Sequence, residues 1–218
     1  LYAGTNRSVY VSFDDGASWQ PFAQGLPTTW VRDLLAHGND LLAATQGRAI
    51  WAFDDLTSLR GIAAGATREP LHLFSPAPAV RLRASESHDT PPPPETPLGE
   101  NPPTGAVLDY WLADGSTGPV TLSIADAAGR LVRRFRSDEP PESLRAHAYF
   151  EAAWVARHAP PAAGPGLHRF VWDLRAPRPA IRSFHYSIAA VRTRGTPVLP
   201  AGPPVLPGRY TVTLEAGG

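Results

Sequence analysis

The sequence predicts an all-β protein built from two units in series, and three observations lead to this prediction. Segments near the start of the chain repeat with an offset of forty residues, a period typical of stacked sheet units. Turn-forming residues such as Asp15-Gly16 and Gly38-Asn39-Asp40 lie where antiparallel hairpins need them. Farther along, apolar and polar residues alternate in several segments, as in strands that bury one face.

Composition excludes several classes of function. The 218 residues carry 20 basic and 20 acidic side chains, so the formal net charge is zero. Nothing in this balance favours binding to phosphates or to an anionic membrane surface, and we expect no nucleic-acid partner. Cysteine is absent, which excludes disulfides and thiolate catalysis. No apolar run reaches the roughly 18 residues that a membrane helix needs, so no membrane span is predicted.

The repeat is visible in two separate places in one ungapped register. Leu1–Thr5 aligns with Leu41–Thr45, and Phe13–Asp15 aligns with Phe53–Asp55. A unit of about 40 residues with hairpin turns has the length of one four-stranded blade of a β-propeller. Residues 1–62 are therefore predicted to form about one and a half blades. Because so few blades cannot close a ring, the expected partners of this unit are further blades upstream of Leu1.

The first copy of the repeat contains the segment Ser12-Phe13-Asp14-Asp15-Gly16-Ala17-Ser18-Trp19. This segment resembles the Asp box, or BNR repeat, of sialidase-like and related glycoside-hydrolase propellers. The five positions of the motif are matched in full by Ser12, Asp14, Gly16, Ser18 and Trp19. We expect the Asp14 carboxylate to accept backbone N–H bonds, Gly16 to adopt a positive φ and Trp19 to cover the turn.

The second copy, residues 52–59, keeps the acidic pair Asp54-Asp55 but lacks the Ser, Gly and Trp positions of the box. Such decay is typical of a terminal repeat. The resemblance implies that these boxes lie at the blade periphery, so their role is structural. Adjacent carboxylates on a strand point to opposite faces, which argues against the paired acids of a glycosidase. No catalytic residue is assigned to the chain.

Residues 106–218 are predicted to form an immunoglobulin-like antiparallel β-sandwich, with residues 63–105 as a linker that contains the first strands and a proline-rich loop. Alternating apolar positions mark four strands: Leu108, Tyr110 and Leu112; Val120, Leu122 and Ile124; Phe170, Trp172 and Leu174; Tyr210, Val212 and Leu214. The segments 120–136, 166–173 and 206–212 resemble the Ig-like domain that follows some bacterial propellers and the fibronectin-like domain of the flagellar-hook capping protein. Helical spacing of apolar residues predicts a short helix or an insertion within Ser143–His158.

Candidate ligand contacts are few. Trp30, Trp51 and Trp111, together with Trp154, are not accounted for by core alternation, and such rings stack on sugars or pack between units. The arginines of Arg133–Arg136 are interpreted as a charged edge strand that discourages aggregation; clasping of an acidic sugar is the alternative. The histidines show no ligand spacing, so neither a metal nor a cofactor is predicted.

The function predicted from these patterns is a non-catalytic, carbohydrate-related structural and interaction module at the C-terminal end of an exported, sialidase-like BNR-repeat protein. Any export signal would lie upstream of Leu1, and the expected location is periplasmic, cell-surface or secreted. Two alternatives stay open. The chain could contribute to an active glycoside hydrolase whose catalytic residues lie mostly upstream, or it could be a protein-binding scaffold, because fold alone does not determine function.

Overall fold

The computed structural model describes residues 1–81, 102–140, 159–180 and 201–217. Strands account for 39% of the structure and helices for 6%, so the predicted all-β class is confirmed. The strands form four antiparallel sheets of three strands each, and none of these sheets closes on itself. Two hydrophobic cores divide them: one lies between the first two sheets and the other between the last two.

The first sheet contains β1 (Tyr2–Gly4), β2 (Val9–Val11) and β3 (Gln20–Pro21), in that order. The second sheet contains β4 (Val31–His37), β5 (Asp40–Thr45) and β6 (Ile50–Phe53), also in chain order. Each neighbouring pair is antiparallel, which confirms the hairpins expected from the turn residues.

The two sheets pack face to face. The first sheet presents one face, which we call the front face, through Tyr2, Gly4, Val9 and Val11. The second sheet receives it with its back face, formed by Leu41, Ala43, Trp51 and Phe53. Phe22, which follows β3, completes the contact with its ring centroid 5.0 Å from that of Phe53. Backbone bonds from Val31 N to Thr5 O (2.8 Å) and from Thr29 N to Arg7 O (3.1 Å) tie the sheets at one end.

The strand registers show where the two copies of the repeat correspond. In the first sheet Tyr2 pairs with Val11 and Gly4 with Val9; in the second sheet Leu42 pairs with Ala52 and Ala44 with Ile50. The offset is therefore forty on the first strand of each hairpin but forty-one on the second strand. The physical reason is a longer connection in the second copy, with five residues between Ala44 and Ile50 against four between Gly4 and Val9. The ungapped alignment therefore fits β1 and β5 but is one residue out of register for β2 and β6.

After β6 the second copy departs from the first. Instead of a strand equivalent to β3, the chain forms helix α1 (Thr57–Ala63) and a 3₁₀ turn over Ala66–Arg68. The predicted boundary between the first unit and the linker, after residue 62, falls within α1. Leu56 is buried in the first core, and its N–H donates to Asn39 O at 2.7 Å, which fixes the start of the helix against the β4–β5 turn.

The third sheet has the order β11-β8-β7 and the fourth has the order β10-β9-β12. Their bounds are β7 (Leu71–Leu73), β8 (Ala106–Leu112), β9 (Val120–Ala125), β10 (Leu131–Arg136), β11 (Gly166–Trp172) and β12 (Thr211–Ala216). The alternating residues predicted for β8, β9 and β11 form the second core. Across it, the rings of Phe135 and Phe170 lie 4.7 Å apart.

Some sequence predictions have a different outcome. Within the predicted linker, the alternation of apolar and charged residues predicts a strand over Ala79–Arg83, but residues 79–81 pair with no neighbouring strand in the described part. Residues 82 and 83 lie outside the described residues, as do most of the proline-rich loop, the segment 143–158 with its predicted helix, and Trp154. The strand β7, at 71–73, pairs with β8 and thus adds to the third sheet.

Candidate functional site

The turn between β2 and β3 is the most elaborate polar arrangement at the sequence-predicted site residues. Ser12 is 3% exposed and lies at the end of β2. Its hydroxyl donates to Asp14 Oδ1 at 2.8 Å and accepts the backbone N–H of Gly16 at 2.8 Å. Asp14 Oδ1 also accepts the backbone N–H of Ser18 at 2.8 Å, and Asp14 Oδ2 accepts the Ser18 hydroxyl. The Ser12 and Asp14 side chains thus hold the whole turn between the two strands.

Gly16 and Trp19 complete this turn. Gly16 has φ 96°, a conformation that L side chains rarely adopt. A Cβ at Gly16 would lie 3.7 Å from Cζ2 of Trp19, so the indole ring covers the turn while remaining 41% exposed. Hydrogen bonds within this turn join Ser12, Asp14, Gly16 and Ser18, and Trp19 packs beside it. This arrangement stabilises a hairpin and leaves no group aimed at a separate ligand.

The electrostatics of Asp14 follow from these bonds. Donation from the Ser18 hydroxyl, the Ser18 backbone and the Ser12 hydroxyl lowers the pKa of Asp14 from 3.8 to about 2. Hydrogen bonds to a carboxylate favour its charged form. A general acid needs a raised pKa, so this carboxyl group is poorly suited to protonate a leaving group near neutral pH. Its chemistry is that of a permanent hydrogen-bond acceptor.

The second acidic pair lies in different surroundings. Asp55 N donates to Asp40 Oδ1 at 3.0 Å, and Asp55 Oδ1 accepts the N–H of Thr57 at the start of α1 at 3.1 Å. Partial burial, followed by the nearby Asp40 charge, raises the pKa of Asp54, while Arg169 opposes that rise. Arg169 belongs to β11 in the third sheet. The degenerate copy of the box therefore faces a cation from the other half of the structure.

A small cleft marks the place where α1 meets the third sheet. Its lining includes Asp55, Ser58, Phe74 and Asp109. Asp109 is 7% exposed, and its two carboxylate oxygens accept bonds from Nε and Nη2 of Arg169 at 2.8 Å each. This bidentate pair neutralises the only buried carboxylate of β8. The carboxylate in the cleft is therefore already paired and is not a free reactive group.

The three tryptophans proposed as ligand contacts do not form one site. Trp30 is 49% exposed, and the Arg32 guanidinium lies 3.8 Å from its ring centroid. Trp51 packs against the first core, and its indole N–H donates to Arg48 O at 2.9 Å. Trp111 lies on β8 in the third sheet, far along the chain from the other two. Of the three, only Trp30 presents a large exposed aromatic surface.

Among the strands of the described ranges, the arginine-rich β10 lies at the edge of its sheet, as the sequence predicts. Its arginines act separately: Arg136 pairs with Asp138 at 2.7 Å, Arg134 Nε donates to Ser123 Oγ at 3.3 Å, and Arg133 lies over the Phe135 ring at 4.8 Å. They do not converge to clasp a carboxylate. Within the described ranges, no three His, Asp or Glu side chains are grouped so that they could hold a metal ion.

Sequence reasoning missed the Asp109–Arg169 pair and the exposed apolar residues Leu35 and Ile50. The pair joins strands sixty residues apart, and no short motif links the two positions. Leu35 and Ile50 are 56% and 73% exposed. The repeat itself could have revealed Ile50, because a face that is buried in one copy is expected to be apolar in the other; Leu35 lies on β4, which has no counterpart in the first copy.

No family model, curated protein or solved structure matches this chain. No helix in the described part of the chain is long and apolar enough to cross a membrane.

Proposed function

We propose that this chain is a non-catalytic structural and interaction module of an exported, sialidase-like BNR-repeat protein. Its first two sheets would be consecutive propeller blades, and its last two would form an immunoglobulin-like sandwich. The observation that supports the proposal most directly is that the Asp14 carboxylate accepts hydrogen bonds from Ser12 and Ser18 within the turn between β2 and β3. A carboxylate committed in this way stabilises a blade and does not attack or protonate a substrate.

Face-to-face packing of the two sheets supports the blade interpretation. Propeller blades are sheets that cannot bury both faces alone and that stack on neighbours of the same kind. In this chain the repeated hairpins stack in that manner, with the Phe22 and Phe53 rings in contact. The two sheets around the second core support the sandwich interpretation, since antiparallel sheets that share one core are the defining feature of that architecture.

An activity measurement tests this proposal. The purified chain should release no fluorophore from 4-methylumbelliferyl sialoside, galactoside, glucoside or N-acetylglucosaminide above the buffer rate. The variant Asp14→Asn should show the same zero rate and a lower unfolding midpoint in urea. Measurable hydrolysis by the wild type that Asp14→Asn or Asp54→Asn abolishes, with the fold retained by circular dichroism, would overturn the non-catalytic assignment.

The carbohydrate part of the proposal rests on Trp30. Its half-exposed ring lies beside Arg32, whose guanidinium forms a hydrogen bond with the Gln46 side chain, and this grouping offers a stacking surface bordered by polar groups. Binding of wild type to a glycan array, reduced at least tenfold in Trp30→Ala but unchanged in Trp19→Ala, is the expected result. Equal binding by the wild type and Trp30→Ala would remove this part of the proposal.

A further inference from the structure

The charged residues of the first two sheets are divided between the two ends of their strands. The segments 5–8, 27–32 and 45–49 carry Arg7, Arg32 and Arg48 and contain no acidic residue. They follow β1, lead into β4 and join β5 to β6, so they meet at one end of the strands, which we call the basic end. Asp33 lies within β4, where its Oδ1 accepts the N–H of the next residue at 2.9 Å. The other aspartates of residues 1–62 lie at the opposite end: Asp14, Asp15, Asp40, Asp54 and Asp55.

Hydrogen bonds fix the three segments of the basic end to one another. The Thr29 N–H donates to Arg7 O at 3.1 Å, and the Gln46 N–H donates to Trp30 O at 2.8 Å. The Thr29 hydroxyl donates to Gln46 O at 3.0 Å, and Thr29 is only 8% exposed. The segment with Trp30 is thus tied to the turn with Arg7 on one side and to the turn with Arg48 on the other.

The arginines of the basic end have no carboxylate partner in the described part of the chain. Arg7 and Arg48 are exposed. The Arg32 guanidinium lies 3.8 Å from the centroid of the Trp30 ring and donates to the Gln46 side chain. Three positive charges therefore surround one half-exposed indole, and none of them is neutralised by a neighbouring acid.

This surface lies at strand ends and not on a sheet face. Blade-like sheets stack on one another through their faces, as the first two sheets do with Phe22 against Phe53. Further sheets on either side of the pair would cover faces and leave the strand ends open. The basic end is therefore accessible whether or not other sheets adjoin this chain.

We infer that the basic end binds a polysaccharide that carries a carboxylate or sulfate group on most of its sugar units. The inference rests on the carbohydrate part of the proposed function and names the class of glycan. The Trp30 ring stacks on a sugar ring, and the planar guanidinium groups donate paired hydrogen bonds to anionic oxygens. Because the arginines come from separate segments and lie on the surface, they match successive charges along an extended polymer better than one enclosed sugar.

A nucleic acid is the other extended polyanion, and two features of the chain disfavour it. The formal net charge is zero, so there is no surplus of positive charge to hold a long phosphate backbone. Trp30 is the single aromatic residue in the three segments of the basic end, whereas surfaces that bind single strands stack successive bases on several rings. The combination of one stacking ring with dispersed arginines favours an acidic glycan.

Binding of the full chain to immobilised polymers tests the inference. Biolayer interferometry would compare polygalacturonate, dextran sulfate, neutral dextran and a single-stranded thymidine oligonucleotide. The wild type should bind polygalacturonate, dextran sulfate or both about tenfold more tightly than neutral dextran, because several exposed ion pairs add to the stacking. Raising the ionic strength from about 0.05 M to about 0.3 M should remove most of this preference. The first two polymers distinguish a carboxylate ligand from a sulfate ligand.

Substitution of single arginines locates the site. Arg7→Gln and Arg48→Gln should each weaken binding to the acidic polymer about two- to fivefold, and the double variant about four- to twentyfold, with binding to neutral dextran unchanged. Arg68→Gln is the matched control, since Arg68 is an exposed arginine of the 3₁₀ turn, outside the basic end. It changes the net charge equally and should bind like the wild type. Circular dichroism confirms that each variant is folded.

Several results would overturn the inference. They are no binding to either acidic polymer, equal binding to acidic and neutral polymers, tighter binding to the oligonucleotide, and equal losses in Arg48→Gln and Arg68→Gln. Binding of free galacturonic acid as tight as that of its polymer would contradict an extended ligand. A neutral glycan bound through Trp30 without any preference for acidic polymers would overturn this inference alone and leave the carbohydrate part of the proposed function standing. The non-catalytic assignment is independent, since it fails only on hydrolysis.

Discussion

Asp15 and Asp55 lie forty residues apart and adopt the same left-handed backbone conformation, with φ of 55° and 56°. The second residue of each acidic pair therefore turns the chain in the same way, although the residue that follows is Gly16 in one copy and Leu56 in the other. The left-handed conformation costs most residues about 1–2 kcal/mol, and Asp adopts it more readily than most. The two copies therefore share this backbone conformation, although the second copy lacks the Ser, Gly and Trp residues of the motif.

This conformation predicts the response to substitution. Asp15→Val should lower the free energy of unfolding by about 1–2 kcal/mol, whereas Asp15→Gly should leave it within about 0.5 kcal/mol of the wild type, because glycine adopts positive φ readily. Urea unfolding followed by tryptophan fluorescence measures both. Asp33→Val is the control, since Asp33 lies on the extended strand β4 where valine is favourable. Equal losses for Asp15→Val and Asp33→Val would contradict the account.

The lowered pKa of Asp14 makes the turn between β2 and β3 sensitive to acid. Since the folded pKa of about 2 lies below the ordinary value of 3.8, the ionised carboxylate stabilises the folded chain above pH 4, and this contribution is lost as pH falls through about 2. The urea midpoints of the wild type and Asp14→Asn should therefore differ at pH 7 and converge towards pH 2. A difference that is independent of pH would show that the charge of Asp14 does not matter.

Replacing Ser18 offers a second test of why the pKa of Asp14 is low. Its hydroxyl is the largest cause of the lowered pKa of Asp14, so Ser18→Ala should raise that pKa towards 3.8. Carbon-detected NMR titration of the Asp14 carboxyl group reports the value directly. An unchanged pKa in Ser18→Ala would mean that the hydroxyl does not donate to Asp14 in solution.

Gly61 on α1 packs directly against Phe74. A Cβ at Gly61 would lie 2.6 Å from Cε1 of the Phe74 ring, and Phe74 is only 3% exposed. Gly61→Ala would normally stabilise a helix by about 0.5–1 kcal/mol. Here we expect it to destabilise the chain by about 1–3 kcal/mol through overpacking. The double variant Gly61→Ala/Phe74→Leu should recover part of this loss in urea unfolding, and a stabilising Gly61→Ala would contradict the close contact.

For the Arg169–Asp109 pair, we expect removal of the arginine alone to cost more unfolding free energy than removal of both charges. Arg169→Met leaves the buried Asp109 carboxylate unpaired, so it should cost about 1–3 kcal/mol of unfolding free energy. Adding Asp109→Asn should restore part of the loss. Arg130→Met is the control, because the Arg130–Asp126 bridge is exposed on the arginine side and exposed bridges contribute less than about 1 kcal/mol. Similar losses of unfolding free energy for Arg169→Met and Arg130→Met in urea would contradict a stabilising ion pair between Arg169 and the buried Asp109.

The strands were predictable where local chemistry fixes them. Alternation located β8, β9 and β11 because each buries one face, and the turn between β4 and β5 was recognisable from Gly38, Asn39 and Asp40. The register of the second hairpin was not predictable, because one additional residue between Ala44 and Ile50 does not change the residue types at the aligned positions. Likewise, no local signal showed that the chain after Leu56 becomes a helix instead of a fourth strand.

In the candidate site, only contacts between residues that are close together in the sequence were predictable. Ser12, Asp14 and Ser18 lie within seven residues of one another, and their hydrogen bonds follow from that spacing. The difference between Trp30, which is half exposed, and Trp51, which packs on the core, depends on which face of the second sheet meets the first. That choice is a tertiary property, as is the pairing of Asp109 with Arg169.

The two repeated sheets pack face to face, and the rings of Phe22 and Phe53 meet across their interface. A double-mutant cycle with Phe22→Leu and Phe53→Leu, followed by urea unfolding, measures the coupling between the two rings. The account predicts a coupling of about 0.5–1.5 kcal/mol, as for other aromatic pairs in contact. Additivity within about 0.3 kcal/mol would show that the sheets do not meet in this way.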